Sequence, residues 1–131
     1  MQANELRIGN LINVSNPAQC PFRIDGFEFL RQEDCKVEQH TEAMFGHPLT
    51  WYFKDLKPIP LTNHYFQNFG FTKDELGYWT KGDSIYSFVD RGDLGYMLVI
   101  ADNEYKETYI KHVHRLQNLW FELTGEELQI K

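Results

Sequence analysis

The stretch Tyr109-Ile-Lys-His-Val-His-Arg-Leu-Gln-Asn-Leu-Trp-Phe-Glu-Leu-Thr124 decides how this chain is read. Tyr109, Val113, Leu116, Trp120 and Leu123 recur at steps of four, three, four and three residues. A helix turns once in about 3.6 residues, so that rhythm sets them on one face. Ile110 and Leu119 widen the stripe, and Gly125 is a natural C-cap. A helix with one apolar side must seat it against another layer, and the rest of the chain reads as strands able to form one.

Upstream, Tyr96 to Ala101 is a continuous apolar run, long enough for a strand and too short for a buried helix. It is the expected central strand of the second half. Tyr105 to Ile110 reads as well as a strand extension as a helix start. Glu126 to Ile130 reads as a short closing strand. Tyr78-Trp79-Thr80 and Ser84 to Val89 are further strands, divided by Lys81-Gly82-Asp83, and Asp90-Arg-Gly-Asp93 turns back. A short helix precedes them. Thr62 is its expected N-cap, with a hydroxyl that accepts from an orphan backbone N–H, a contact worth about 1 kcal/mol. Leu61 and Phe66 have staple spacing, and Gly70 ends the helix.

Lys57-Pro-Ile-Pro-Leu61 is a rigid extended spacer, because two prolines fix φ and remove two donors. Before it lie short apolar runs: Leu6 to Val14, Phe22 and Ile24, Phe27 and Phe29, Cys35 to Gln39, and Leu49 to Phe53. Asn-Pro, Asp25-Gly26 and Gly-His-Pro punctuate them, so they read as a meander of short strands with a tight turn at Asp25-Gly26. A small, partly open barrel is one way such strands satisfy their edges. The expected fold is therefore α+β, a single domain over residues 1–131. Residues 1–57 form a β-rich half, and residues 58–131 add a short helix, an antiparallel meander and an amphipathic C-terminal helix packed on the sheet.

The net charge of −6 carries no basic stripe, which argues against a general nucleic-acid binder, whose affinity comes from neutralising phosphates. Protonating the five histidines takes the charge to about −1, which predicts lower solubility near pH 5 than near pH 8. Cys20 and Cys35 lack metal or redox spacing. The first ten residues lack an apolar signal core, and no run approaches the ~20 apolar residues of a membrane span. The expected location is the cytoplasm, with no membrane partner.

Candidate chemistry centres on His112-Val-His114. On a helix, residues two apart point about 200° away from each other, so both imidazoles cannot ligate one metal. On a strand they share a face. The helical reading leaves no expected metal or cofactor. His40 and His47, with Glu38 and Glu42, match no ligand spacing and read as loop residues. Asp83, Asp90 and Asp93 read as turn formers. There is no GxSxG elbow, no Walker loop and no GxGxxG, so no catalytic residue is assigned. Lys111, His112, His114 and Arg115 are the only local basic cluster, suited to an acidic partner or a phosphate.

Three segments together, Glu5-Leu-Arg-Ile-Gly-Asn-Leu11, Lys57-Pro-Ile-Pro-Leu-Thr62 and Tyr109 to Leu128, resemble in order and spacing a family of small uncharacterised proteins of gut anaerobes and their phages. That resemblance implies a cytoplasmic protein of bacterial, phage or mobile-element origin. It carries no activity and no site residue.

The leading expectation is a non-catalytic binding or interaction module that engages an unknown protein partner or a second copy. The aromatic content, 15% of the chain, offers Trp51, Tyr52, Trp79 and Tyr86 as interaction candidates beside His112 and His114. Two alternatives stand against it. One is a small hydrolase that sets His112 or His114 against a carboxylate. The other is a nucleic-acid accessory protein that uses the N-terminal strands.

Overall fold

Alternation along one short strand divides the interior of this protein in two. In β1 (Leu11–Val14), Leu11 packs against the larger core while Ile12 is fully buried in a smaller one. Successive strand residues face opposite ways, so β1 serves both. The structure, a computed structural model, describes residues 5–14, 21–29, 35–39, 49–52, 55–101 and 103–130.

β1 pairs antiparallel with β2 (Phe22–Arg23) on one side. The other strands of the first half are β3 (Gly26–Phe29), β4 (Cys35–Gln39), β5 (Leu49–Tyr52) and β6 (Leu56–Lys57). β6 pairs with the free side of β1, giving the order β2-β1-β6. The remaining three form a separate antiparallel sheet, β3-β4-β5. The first half is thus rich in short strands, and among the described residues they do not close into a barrel. The tight turn expected at Asp25-Gly26 does not join two paired strands of a meander. The strands on either side of it belong to different sheets, so the chain crosses between layers there. The smaller core comprises Leu6, Ile12, Phe22, Ile24 and Leu56, with Trp51 packed against it.

The second half begins with α1 (Asn63–Asn68). Thr62 holds the N-cap position in extended backbone, but its side chain makes no capping hydrogen bond. The expected cap energy is therefore absent. Leu61 and Phe66 do share one buried cluster, as a staple requires. At the other end Gly70 has φ +91°, the Gly70 N–H donates to Gln67 O (3.0 Å), and the Phe71 N–H donates to Phe66 O (2.9 Å). These are the two bonds of a Schellman motif. The edge-to-face contact of Phe66 and Phe71, 5.2 Å between ring centres, is its hydrophobic partner.

Five strands follow: β7 (Thr72–Lys73), β8 (Tyr78–Thr80), β9 (Tyr86–Asp90), β10 (Tyr96–Ile100) and β11 (Asn103–Ile110). They form one antiparallel sheet in the order β11-β10-β9-β8-β7, each beside its neighbour in sequence. β10 is interior and almost wholly buried, yet β9 is the middle strand, which corrects the expected placement. β11 follows β10 with a register break. Met97 faces Tyr109 and Leu98 faces Tyr105, so residues 106–108 bulge out.

α2 (Val113–Thr124) lies on this sheet through Val113, Leu116 and Trp120, within a cluster that includes Phe66, Phe71 and Phe88. Gly125 closes it in the left-handed region, with its N–H donating to Phe121 O (2.8 Å). Two readings change here. Tyr109 and Ile110 belong to β11 and not to the helical stripe. Residues 126–130 form no strand; Leu128 instead plugs into the large core.

Candidate functional site

The Pro-rich spacer fixes the point where β11 becomes α2. The Leu61 N–H donates to Lys111 O (2.8 Å), and the Val113 N–H donates to Ile59 O (2.9 Å). Pro60 and His112 form an isolated antiparallel bridge between these bonds. His112 is consequently held extended (φ −129°, ψ 149°), and helical geometry starts one residue later. This overturns the argument that two helical neighbours must diverge. The His112 and His114 rings lie nearly parallel, at 14°, with centres 6.0 Å apart.

Their environments differ. His114 is 1% exposed, and its Nε2 is 3.3 Å from Glu5 Oε2. Its Nδ1 is buried without a partner. Burial lowers the His114 pKa despite the opposing pull of Glu5, so the ring is neutral near pH 7. We assign the tautomer that donates from Nε2–H to the carboxylate. Burial pushes the Glu5 pKa up, but the hydrogen bond from His114 and the Arg115 charge outweigh it, and the net direction is down. Arg115 Nη1 stands 3.7 Å from the other Glu5 oxygen. His112 is half-buried, and its pKa is lowered by burial, with the Arg115 and Lys111 charges adding to the effect and Glu5 opposing it.

A pocket of about 300 Å³ opens here, bordered by Glu5, Tyr109, Lys111, His112, His114 and Arg115. Among the described residues, neither the Lys111 ammonium nor the His112 imidazole has a hydrogen-bond partner. No group of three or more His, Cys, Asp or Glu side chains is placed to hold a metal ion among the described residues.

A polar clamp fixes the first segment to the helix beside this pocket. The Arg7 guanidinium donates to Asn118 Oδ1 (2.7 Å) and Glu127 Oε1 (2.8 Å), and lies over the Phe121 ring. Fully buried Asn10 donates to the same Asn118 oxygen (2.9 Å). Gln117, also buried, accepts from the Leu11 N–H (2.8 Å) and donates to Gly9 O (3.0 Å). The segments around Arg7, Pro60 and His112 thus meet in space. Gln117 did carry a signal in the sequence. It sits four residues after Val113 and three before Trp120, a polar residue inside an apolar stripe. Arg7 and Asn10 carried none.

The described aromatic candidates, Trp51, Trp79 and Tyr86, are divided between the two cores. Trp79 is 3% exposed and stacks on Phe66 at 5.5 Å. Tyr86 is half-buried against Trp120. Trp51 packs on Phe22 in the other core. The Tyr52 side chain lies outside the described residues, as do Cys20, His40, Glu42 and His47 and the side chains of Cys35 and Glu38. Asp90 is a turn former, its Oδ1 accepting from the Gly92 N–H (2.8 Å).

A second, larger concavity of about 560 Å³ is lined in part by the clamp residues Gln117 and Glu127, with Ile8, Leu11, Leu128 and Ile130. Comparison with known proteins gives no match: neither a family model, nor a curated protein, nor a solved structure aligns with this chain. Among the described residues no helix is long and apolar enough to cross a membrane.

Proposed function

We propose that this protein is a non-catalytic binding module whose ligand occupies the pocket where β11 turns into α2. One observation carries the reading. The imidazole that has a carboxylate is sealed, while beside it the Lys111 ammonium and the His112 ring make no hydrogen bond among the described residues and Arg115 meets Glu5 only at 3.7 Å. Both His114 nitrogens are withdrawn from any substrate, Nε2 by Glu5 and Nδ1 by burial. Lys111, His112 and Arg115 border the same pocket with donors to offer. Binding sites commonly present a few convergent polar groups in a concavity. Trp79, as a core residue, gives no support to an aromatic docking face. Cytoplasmic location and bacterial or phage origin belong to this proposal through the three segments that resemble the phage-associated family.

The test is an amide-shift NMR screen of the folded protein against small anionic, cationic and neutral compounds. Shifts clustered at Lys111, His112 and Arg115 are expected. Shifts clustered at Ile8 and Ile130 instead would move the site to the larger concavity.

The hydrolase reading retains one supporting contact, His114 against Glu5. It requires ester or phosphoester turnover that His112→Ala or His114→Gln abolishes. Absence of turnover in the wild-type protein, alongside ligand shifts at the pocket, is the outcome expected here.

A further inference from the structure

We infer that the pocket beside His112 binds a phosphate group carried on a small molecule. This rests on the binding reading above and names its ligand class. The argument begins with charge. The protein as a whole is acidic at −6, yet this pocket sets two permanent cations, Lys111 and Arg115, against one carboxylate, Glu5. Glu5 is already engaged with His114 and leans on Arg115 only at 3.7 Å. The pocket therefore keeps a cationic excess even with both imidazoles neutral.

Three further acids border adjoining concavities, Asp90 and Asp93 beside Lys111 and Glu122 beside Arg115; none of them forms an ion pair with Lys111 or Arg115. Tyr109 is the remaining titratable group at the wall.

The number and charge of the donors favour phosphate over carboxylate. A guanidinium fork, an ammonium and an imidazole approach from the strand end and the first helical turn. A carboxylate brings one charge and two oxygens to these three donors. A phosphate group offers three acceptor oxygens and up to two charges. The first-turn N–H groups of His114 and Arg115, which have no backbone partner among the described residues, add to the positive end of α2. At about 300 Å³ the pocket is sized for a small molecule. The global acidity argues against a polyanion, whose length would run over repelling surface.

His112 is the built-in reporter. Burial disfavours its protonated form, Glu5 favours it, and Arg115 and Lys111 add to the effect of burial; an anion bound beside the ring pulls the balance towards protonation. The experiment is a pH titration of the His112 ring by carbon-detected NMR with inorganic phosphate, a nucleoside monophosphate, sodium acetate and a single-stranded oligonucleotide. The expected result is a saturable upward shift of the His112 titration with both phosphate probes and a much smaller one with acetate. Loss of about tenfold in affinity is expected for each of Lys111→Ala and Arg115→Ala. Both side chains are exposed, so these variants should keep the wild-type melting temperature, checked in parallel. Equal response to acetate, response to the oligonucleotide alone, or silence with every anion overturns the phosphate assignment. If pocket shifts from the wider screen persist in that case, the binding reading survives. If none are seen, both fall.

Discussion

His114 Nε2 and Glu5 Oε2 stand 3.3 Å apart, a contact that spans 109 residues of sequence and ties the start of the described chain to the first turn of α2. It joins a buried, neutral imidazole to a partly exposed carboxylate, so its strength follows pH. The His114 pKa is lowered from 6.5 and the Glu5 pKa from 4.5. In both cases the unfolded chain binds the proton more readily than the folded one. Stability is then fully present above the unfolded values and is lost on acidification.

The melting temperature should fall as pH drops below about 6.5, and fall further below about 4.5. His114→Gln should flatten the upper part of this slope. It should not abolish it, because His112 is shifted in the same direction. Thermal scans at steps of pH check this. A variant as steep as the wild type would remove His114 as the cause.

Gln117→Leu keeps the volume but takes away the acceptor for the Leu11 N–H and the donor to Gly9 O. A buried donor left without a partner costs roughly 1–3 kcal/mol. Urea denaturation should show a loss in that range. A neutral result would mean that water or a local shift satisfies Leu11.

Phe66 touches Phe71, Trp79, Phe88 and Tyr96, with ring centres 4.8–5.7 Å away. Phe66→Ala should cost about 3–5 kcal/mol by the lost transfer energy and the cavity left behind. Thr62→Ala, at the other side of the same helix, should cost no more than a few tenths of a kcal/mol, since no side-chain cap bond exists to lose.

Gly95→Ala should be among the most damaging single-methyl changes. The backbone there has φ +96°, and an added Cβ would stand 2.6 Å from Ile110 O. Backbone cannot step aside as a flexible side chain can, so β10 and β11 would have to part. A loss above about 2 kcal/mol is expected, from the left-handed strain plus overpacking. Soluble yield and melting temperature measure it.

Solubility offers a check that needs no variant. Between pH 8 and pH 5 the histidines move the net charge from −6 to about −1, less far where burial lowers the pKa of His112 and His114. A precipitation curve should dip near pH 5.

The sequence alone determined the features that depend on neighbours along the chain. The stripe of Val113, Leu116 and Trp120, the Gly125 cap, the Leu61–Phe66 staple and the Gly70 stop are local matters of period and backbone freedom. The antiparallel order of β8 to β10 follows from short turns between consecutive strands. Only the tertiary structure decided the rest. Where α2 begins was settled by Pro60 bridging to His112, a pairing that helical periodicity cannot register. The pairing of the first-half strands was likewise beyond reach, since Phe22 and Phe27 carry the same local pattern yet join different sheets. The clamp was hardest of all to foresee. Leu11 and Gln117 are 106 residues apart, and whether a buried amide finds its partner depends on the chain's path between them, not on either residue's neighbours.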